Sequence, residues 1–224
     1  MIKIENTEIY GWETAIRGAR NPMNSWAKSD SDCDDCRRDH PERDCTSCEV
    51  YVGNNDYKLL TNLANAGSDH GKFMRMITVT LDITAPLYWW KEFDTYKVGT
   101  VANSCSTMHK IHAKPFCLDD FSHEHLFDDP TYQNNLDLFR VMVDVLNANR
   151  TMFLETHDKR YWWQLIQLLP SSYNQRRTVL LNYQVLKTMY HARKHHKLDE
   201  WREFCRWIES LPYSELITGG MTDA

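Results

Sequence analysis

Four cysteines in two pairs carry the densest chemistry in this sequence: Cys33-Asp-Asp-Cys36 and Cys45-Thr-Ser-Cys48, with His40 between them. Two thiolates three positions apart can grip one tetrahedral ion from a tight turn, and two such pairs complete a closed zinc site with no position left for substrate. The spacer is shorter than the roughly 15–20 residues usual between such pairs, and Asp32, Asp34 and Asp35 add negative charge, so a solvated acidic loop is the other reading of the same residues. A second constellation lies late in the chain. Asn182 and Arg193 stand eleven positions apart in an amphipathic run, which at about 3.6 residues per turn puts them on one helical face, three turns apart, lining one long pocket. Arg193, Lys194, His195, His196 and Lys197 make this stretch locally basic and suit it to a single anionic ligand. A third lies at Ser104-Cys105-Ser106, where Cys105 could be a nucleophile if His109 or His112 faces it. A buried thiol is the simpler reading.

Elements must position these groups, and the chain is long enough to supply them. With 224 residues, 42% hydrophobic and 12% aromatic, it can bury a sizeable core without covalent staples. A net charge of -5 argues against a broad nucleic-acid surface. The start, MIKIENTEIYGW, lacks the basic and apolar regions of a signal peptide, and no apolar run reaches membrane-spanning length. A cytoplasmic protein is expected, in which the seven cysteines are thiols or metal ligands. Met76 to Ile83 alternates cleanly, with Ile77, Val79, Leu81 and Ile83 opposite Thr78, Thr80 and Asp82, and predicts a strand. Ile2 to Tyr10 predicts an edge strand. Helices are predicted over Glu13–Gly18, Asn55–Ala66, Pro86–Thr95, Asp128–Asn149, Lys159–Leu169, Asn174–Arg193 and Asp199–Ser210. The expected fold is α+β: one domain over residues 1–224, a small antiparallel sheet with several packed helices, and a Cys-rich insertion at 30–50. Trp89, Trp90, Trp162 and Trp163 read as packing or subunit contacts.

Taken in order over roughly residues 68 to 201, these pieces resemble the flavin-dependent thymidylate synthase family. The resemblance rests on Ala85-Pro86-Leu87-Tyr88 opening a helix, on Asn103-Ser104-Cys105-Ser106 where the family has N-E-x-S, on His70 ahead of a strand, and on Asn182 and Arg193 followed by Trp201. It implies FAD as cofactor, deoxyuridylate as substrate, methylenetetrahydrofolate as one-carbon donor and a homo-oligomer, a tetramer in the family. It further implies Ser106 beside the pyrimidine as the catalytic residue. His70, Asn103 and Asn182 would lie on the flavin, and Lys91, Glu92, Lys97 and Arg193 on the substrate. The chain departs from the family where Arg-His-Arg should stand: Thr95-Tyr96-Lys97 or Tyr96-Lys97-Val98 replaces it, and Gln184 replaces another arginine. Guanidinium forks are poorly replaced at phosphates, so weak or absent thymidylate synthesis is expected. The rival readings are a non-catalytic flavin- or nucleotide-binding protein of the same fold, and a zinc-stabilised interaction protein.

Overall fold

The computed structural model describes residues 2–31, 51–129, 131 and 134–219. Cys33, Cys36, Cys45 and Cys48, and with them the zinc reading, lie outside the described residues. Four strands form one antiparallel sheet: β1 (Lys3–Tyr10), β2 (Thr78–Pro86), β3 (Val101–Ser104) and β4 (Asn174–Asn182), in the order β1-β2-β4-β3. Nine α-helices are found among the described residues: α1 (Trp12–Arg20), α2 (Asn54–Asn65), α3 (Leu87–Phe93), α4 (Thr107–Lys110), α5 (Asn135–Thr156), α6 (Lys159–Leu168), α7 (Tyr183–Arg193), α8 (Asp199–Glu209) and α9 (Glu215–Thr218). The expected α+β class is what the chain adopts. Among the described residues no helix is long and apolar enough to cross a membrane.

The chain divides into two compact units, one of Met1–Glu5, Asp82–Thr95 and Ala102–Val179, the other of Asn6–Leu81, Tyr96–Val101 and Leu180–Ala224. In the first, α5 and α6 pack as an antiparallel pair around Val143, Leu146 and Leu165, joined by Ile111, Phe116 and Phe121. Trp89, Trp90 and Phe93 of α3 are fully buried as well, with ring centroids 4.9–5.2 Å apart, so the expectation of packing holds for this tryptophan pair. In the second unit, Val79 and Leu81 are buried on alternate positions of β2, and Leu60, Leu186, Met189, Phe204 and Ile208 are buried as well. Burying every second residue is what a period-two pattern can do when only one strand face meets the core.

Two expected helices differ from the structure for identifiable reasons. Asn174 to Asn182 is a strand, and the helix begins only at Tyr183. Gln175, Val179 and Leu181 are buried on alternate positions, while Arg176 and Thr178 reach Asp82 Oδ2 and Oδ1 at 2.7 and 2.5 Å. A polar ladder with a period of two therefore outweighs the helix-compatible spacing of the apolar residues. The helix expected from Asp128 instead starts after Asn134, whose carboxamide oxygen accepts from Asp137 N at 3.0 Å, and it runs on to Thr156. On this helix Val143 and Leu146 are buried, while Leu138 and Val141 are exposed.

A buried carboxylate that the sequence pattern did not disclose organises the start of α2. Asp56 is completely buried. It accepts from Arg20 Nε (2.5 Å), from the hydroxyls of Ser29 and Ser31 (2.7 Å each) and from the amides of Asp30 and Ser31 (3.1 and 3.0 Å). Asp30 in turn accepts from the amides of Asn55 and Asp56, satisfying donors that a helix N-terminus leaves open. Ser31 Oγ accepts from Gly53 N at 2.9 Å. A Cβ at Gly53 would lie 2.3 Å from the Asp30 carbonyl oxygen, so only glycine permits this approach.

Candidate nucleotide site

Four of the expected residues, Arg193, Asn182, Lys97 and His70, lie in the second unit. Arg193 is the last residue of α7. Its Nε donates to Tyr96 Oη at 2.8 Å, and its guanidinium lies 4.8 Å from the Trp201 ring centroid and 5.6 Å from that of Tyr96. The two rings meet edge-on at 6.1 Å, and His196 approaches Trp201 at 6.3 Å. A guanidinium between two aromatic faces gains cation–π attraction and loses rotamer freedom. The guanidinium is thereby oriented. Lys194, His195 and Lys197 follow Arg193 in sequence and are exposed, as is Lys97 next to Tyr96.

At the opposite end of α7 stands Asn182. Its carboxamide oxygen accepts from Val185 N at 2.9 Å, the bond that starts the helix. Asn182 and Arg193 thus bracket an 11-residue helix, roughly 16 Å long at 1.5 Å per residue, rather than lining one face of a longer one. The segment Tyr96–Val101 connects these ends: Tyr96 holds Arg193, and a Cβ at Gly99 would sit 2.6 Å from Asn182 Nδ2. Gly99 has φ +79. Lys97 lies between the two contacts and is exposed. His70 is an exposed turn residue preceding a short 3-10 turn at Gly71–Arg75. A Cβ at Gly71 would come within 3.4 Å of Gln184 Oε1, so the His70 turn and the N-terminal end of α7 are neighbours.

The first unit carries the remaining expected residues. Ser106 caps α4, its Oγ accepting from His109 N at 3.1 Å. Asn103 is exposed on β3, Lys91 is exposed on α3, and Glu92 is half-buried there. The turn around Ser106 is fixed to β4 by two bonds through Cys105: its N–H donates to the Arg176 carbonyl at 2.9 Å, and its carbonyl accepts from Gln175 Nε2 at 2.9 Å. The Gln175 carbonyl accepts from Trp90 Nε1 at 2.9 Å. Cys105 itself is exposed, not the buried thiol anticipated. Sequence reasoning also missed Arg177, whose guanidinium lies 4.2 Å from the Trp90 ring centroid and donates to Asp94 Oδ1 at 2.7 Å. The alternation of β4 would have been the signal for it. Among the described residues no His, Cys, Asp and Glu group is arranged to hold a metal ion.

No family model and no characterised protein matches the chain by sequence. Solved structures do match it. A Helicobacter pylori thymidylate synthase X (ThyX) structure with FAD and dUMP is 14% identical with a TM-score of 0.67, over 99% of this chain and 100% of that one. A second H. pylori structure, of the flavin dependent thymidylate synthase ThyX complexed with FAD and dUMP, gives 14% and 0.65 over 96% of each chain. A UMP/dUMP methylase, PolB from Streptomyces cacaoi, bound with 5-Br dUMP, gives 14% and 0.59 over 97% and 95%. The fold is therefore that of the flavin-dependent thymidylate synthases. At this identity the likeness establishes the fold alone.

Proposed function

We propose that this chain is a nucleotide-binding protein of the ThyX fold that takes a deoxyuridylate-type monophosphate, with Arg193 on the phosphate. The observation that carries this reading is the preset Arg193 guanidinium, held by Tyr96 and faced by Trp201, because a planar fork matches phosphate oxygens two at a time. The match to structures containing dUMP supports the choice of ligand. Calorimetry with deoxyuridylate tests it: Arg193→Ala should weaken binding by about ten-fold or more, as loss of a charge-assisted bond implies. Equal affinity in parent and variant would send the phosphate elsewhere.

FAD is the cofactor that the fold suggests, and the solved structures of this fold that contain it support the choice. Asn182 has its oxygen committed to the α7 cap and its side chain buried. Arg176 and Arg177 are paired with Asp82 and Asp94, and Tyr96, in the segment where the family has Arg-His-Arg, serves Arg193. No hydride step is assigned to these residues, and thymidylate synthesis is expected to be weak or absent. The second reading is flavin-dependent methylation of deoxyuridylate with methylenetetrahydrofolate; the exposed Ser106, Asn103 and His70 favour it. It requires a yellow protein and deoxyuridylate-dependent tritium release.

Two further parts of the proposal concern assembly and metal. The exposed Leu138, Val141 and Val145 on α5 support a homo-oligomer. The Cys33, Cys36, Cys45 and Cys48 spacing supports one structural zinc per chain. Elemental analysis of protein purified without chelator should find it, and its absence would rule the zinc out.

A further inference from the structure

Helix α6 buries Leu165 completely, yet two positions earlier Trp163 is 43% exposed. Trp163 is not a stray indole. Its ring lies 4.9 Å from Trp162 at an interplanar angle of 68°, and Lys159 Nζ lies 5.8 Å from both ring centroids. Trp162 is fixed in turn by its Nε1–H, which donates to the Met108 carbonyl at 3.3 Å. Met108 is 48% exposed and belongs to the same four-residue helix that Ser106 caps. The next two residues, His109 and Lys110, are exposed as well. An aromatic surface with a cation over its rings is therefore bonded to the turn carrying the candidate catalytic serine. All of these residues lie in one compact unit.

We propose that Trp163, backed by Trp162 and Lys159, is a stacking platform for a planar heteroaromatic ring that carries negative charge. An indole offers its face to any fused or single heterocycle, and Lys159 with Lys110 complements a phosphate or carboxylate on the same molecule. This rests on the nucleotide-binding reading and names a ring-binding group carried wholly by the first unit. Three sources share the chemistry: the pyrimidine of deoxyuridylate, the isoalloxazine of FAD and the pterin of a folate.

The experiment measures binding of deoxyuridylate, FAD and 5-formyltetrahydrofolate separately, to the parent, Trp163→Ala, Trp163→Phe, Lys159→Gln and Arg193→Ala proteins. Thermal melts should show all five folded, since Trp163 and Lys159 are exposed. For at least one ligand, Trp163→Ala should bind about ten-fold or more weakly, the scale of one stacked ring. Trp163→Phe should stay within about three-fold of the parent, and Lys159→Gln should flatten the salt dependence for that same ligand. The ligand affected identifies the source. Unchanged affinity of Trp163→Ala for all three would overturn the platform, and it would do so alone if deoxyuridylate binding still depends on Arg193. A parent that binds none of the three overturns both readings.

Discussion

Tyr96 illustrates how one side chain can change its work while the fold stays. It stands in the segment where the resembling family has Arg-His-Arg, and its hydroxyl accepts from Arg193 instead of contributing a charge of its own. Tyr96→Phe keeps the ring over the guanidinium and removes only the acceptor. A bond from a charged donor is worth about 1.5–3 kcal/mol, but this one acts on the ligand only through the orientation of the fork, so deoxyuridylate should bind roughly two- to ten-fold more weakly to the variant, measured by calorimetry. A deoxyuridylate affinity equal to the parent's would mean that the Tyr96 hydroxyl does not orient the fork. Arg193 could be singled out in the sequence because its basic surroundings stand out in an acidic chain. Its partner was not, since Tyr96 and Arg193 are 97 positions apart and no periodicity links them.

Among the elements, α7 shows where local pattern succeeds and fails. Its apolar spacing reads correctly as helix from Tyr183 onward, but the nine residues before it carry enough apolar character to extend the reading backward. Their pairing in the sheet between β2 and β3, with Arg176 and Thr178 bonded to Asp82, makes them a strand, and that is a tertiary fact. The clean alternation of β2 and the Pro86 start of α3 needed no such help. Asn182 marks the true boundary, and its contact with Gly99 makes the boundary testable. Asn182→Ala should cost about 1 kcal/mol, the usual value of a cap. Gly99→Ala should cost about 1–2 kcal/mol, from positive φ and from the Cβ meeting Asn182 Nδ2. Combined, the two should cost less than their sum by roughly 0.5 kcal/mol or more in a double-mutant cycle of urea unfolding. Strict additivity would show that the two residues do not touch in solution.

For the molecule as a whole, buried ionisable groups set the response to acid. Burial pushes the His191 imidazole down, and Lys194 and Lys187 push the same way, outweighing the Ile217 carbonyl that its Nε2 meets at 3.1 Å. A base depressed in the fold leaves stability complete above its unfolded value, about 6.5, and withdraws it as pH falls below that point. Burial also pushes the Asp56 carboxyl up, but Ser31, Ser29 and Arg20 outweigh it and hold it below the usual carboxylate range. That contribution is present above about 3.9 and is lost as pH falls through the folded value. The melting temperature should therefore drop in two stages, the first as pH falls below about 6.5 and the second below about pH 4. His191→Gln should abolish the first stage only; a single transition in the parent would contradict the assignment. The bond from Gly53 N to Ser31 Oγ bears on how this chain can vary. The chain leaves Ser31 and returns at Gly53 to a hydrogen-bonded neighbour, so the two rims are held a single hydrogen bond apart, Gly53 N to Ser31 Oγ at 2.9 Å. Closure entropy grows only slowly with the length of such a span. The fold thus has a socket at this point, where residues can be exchanged, lengthened or shortened while Asp56 and Arg20 keep the two rims in place.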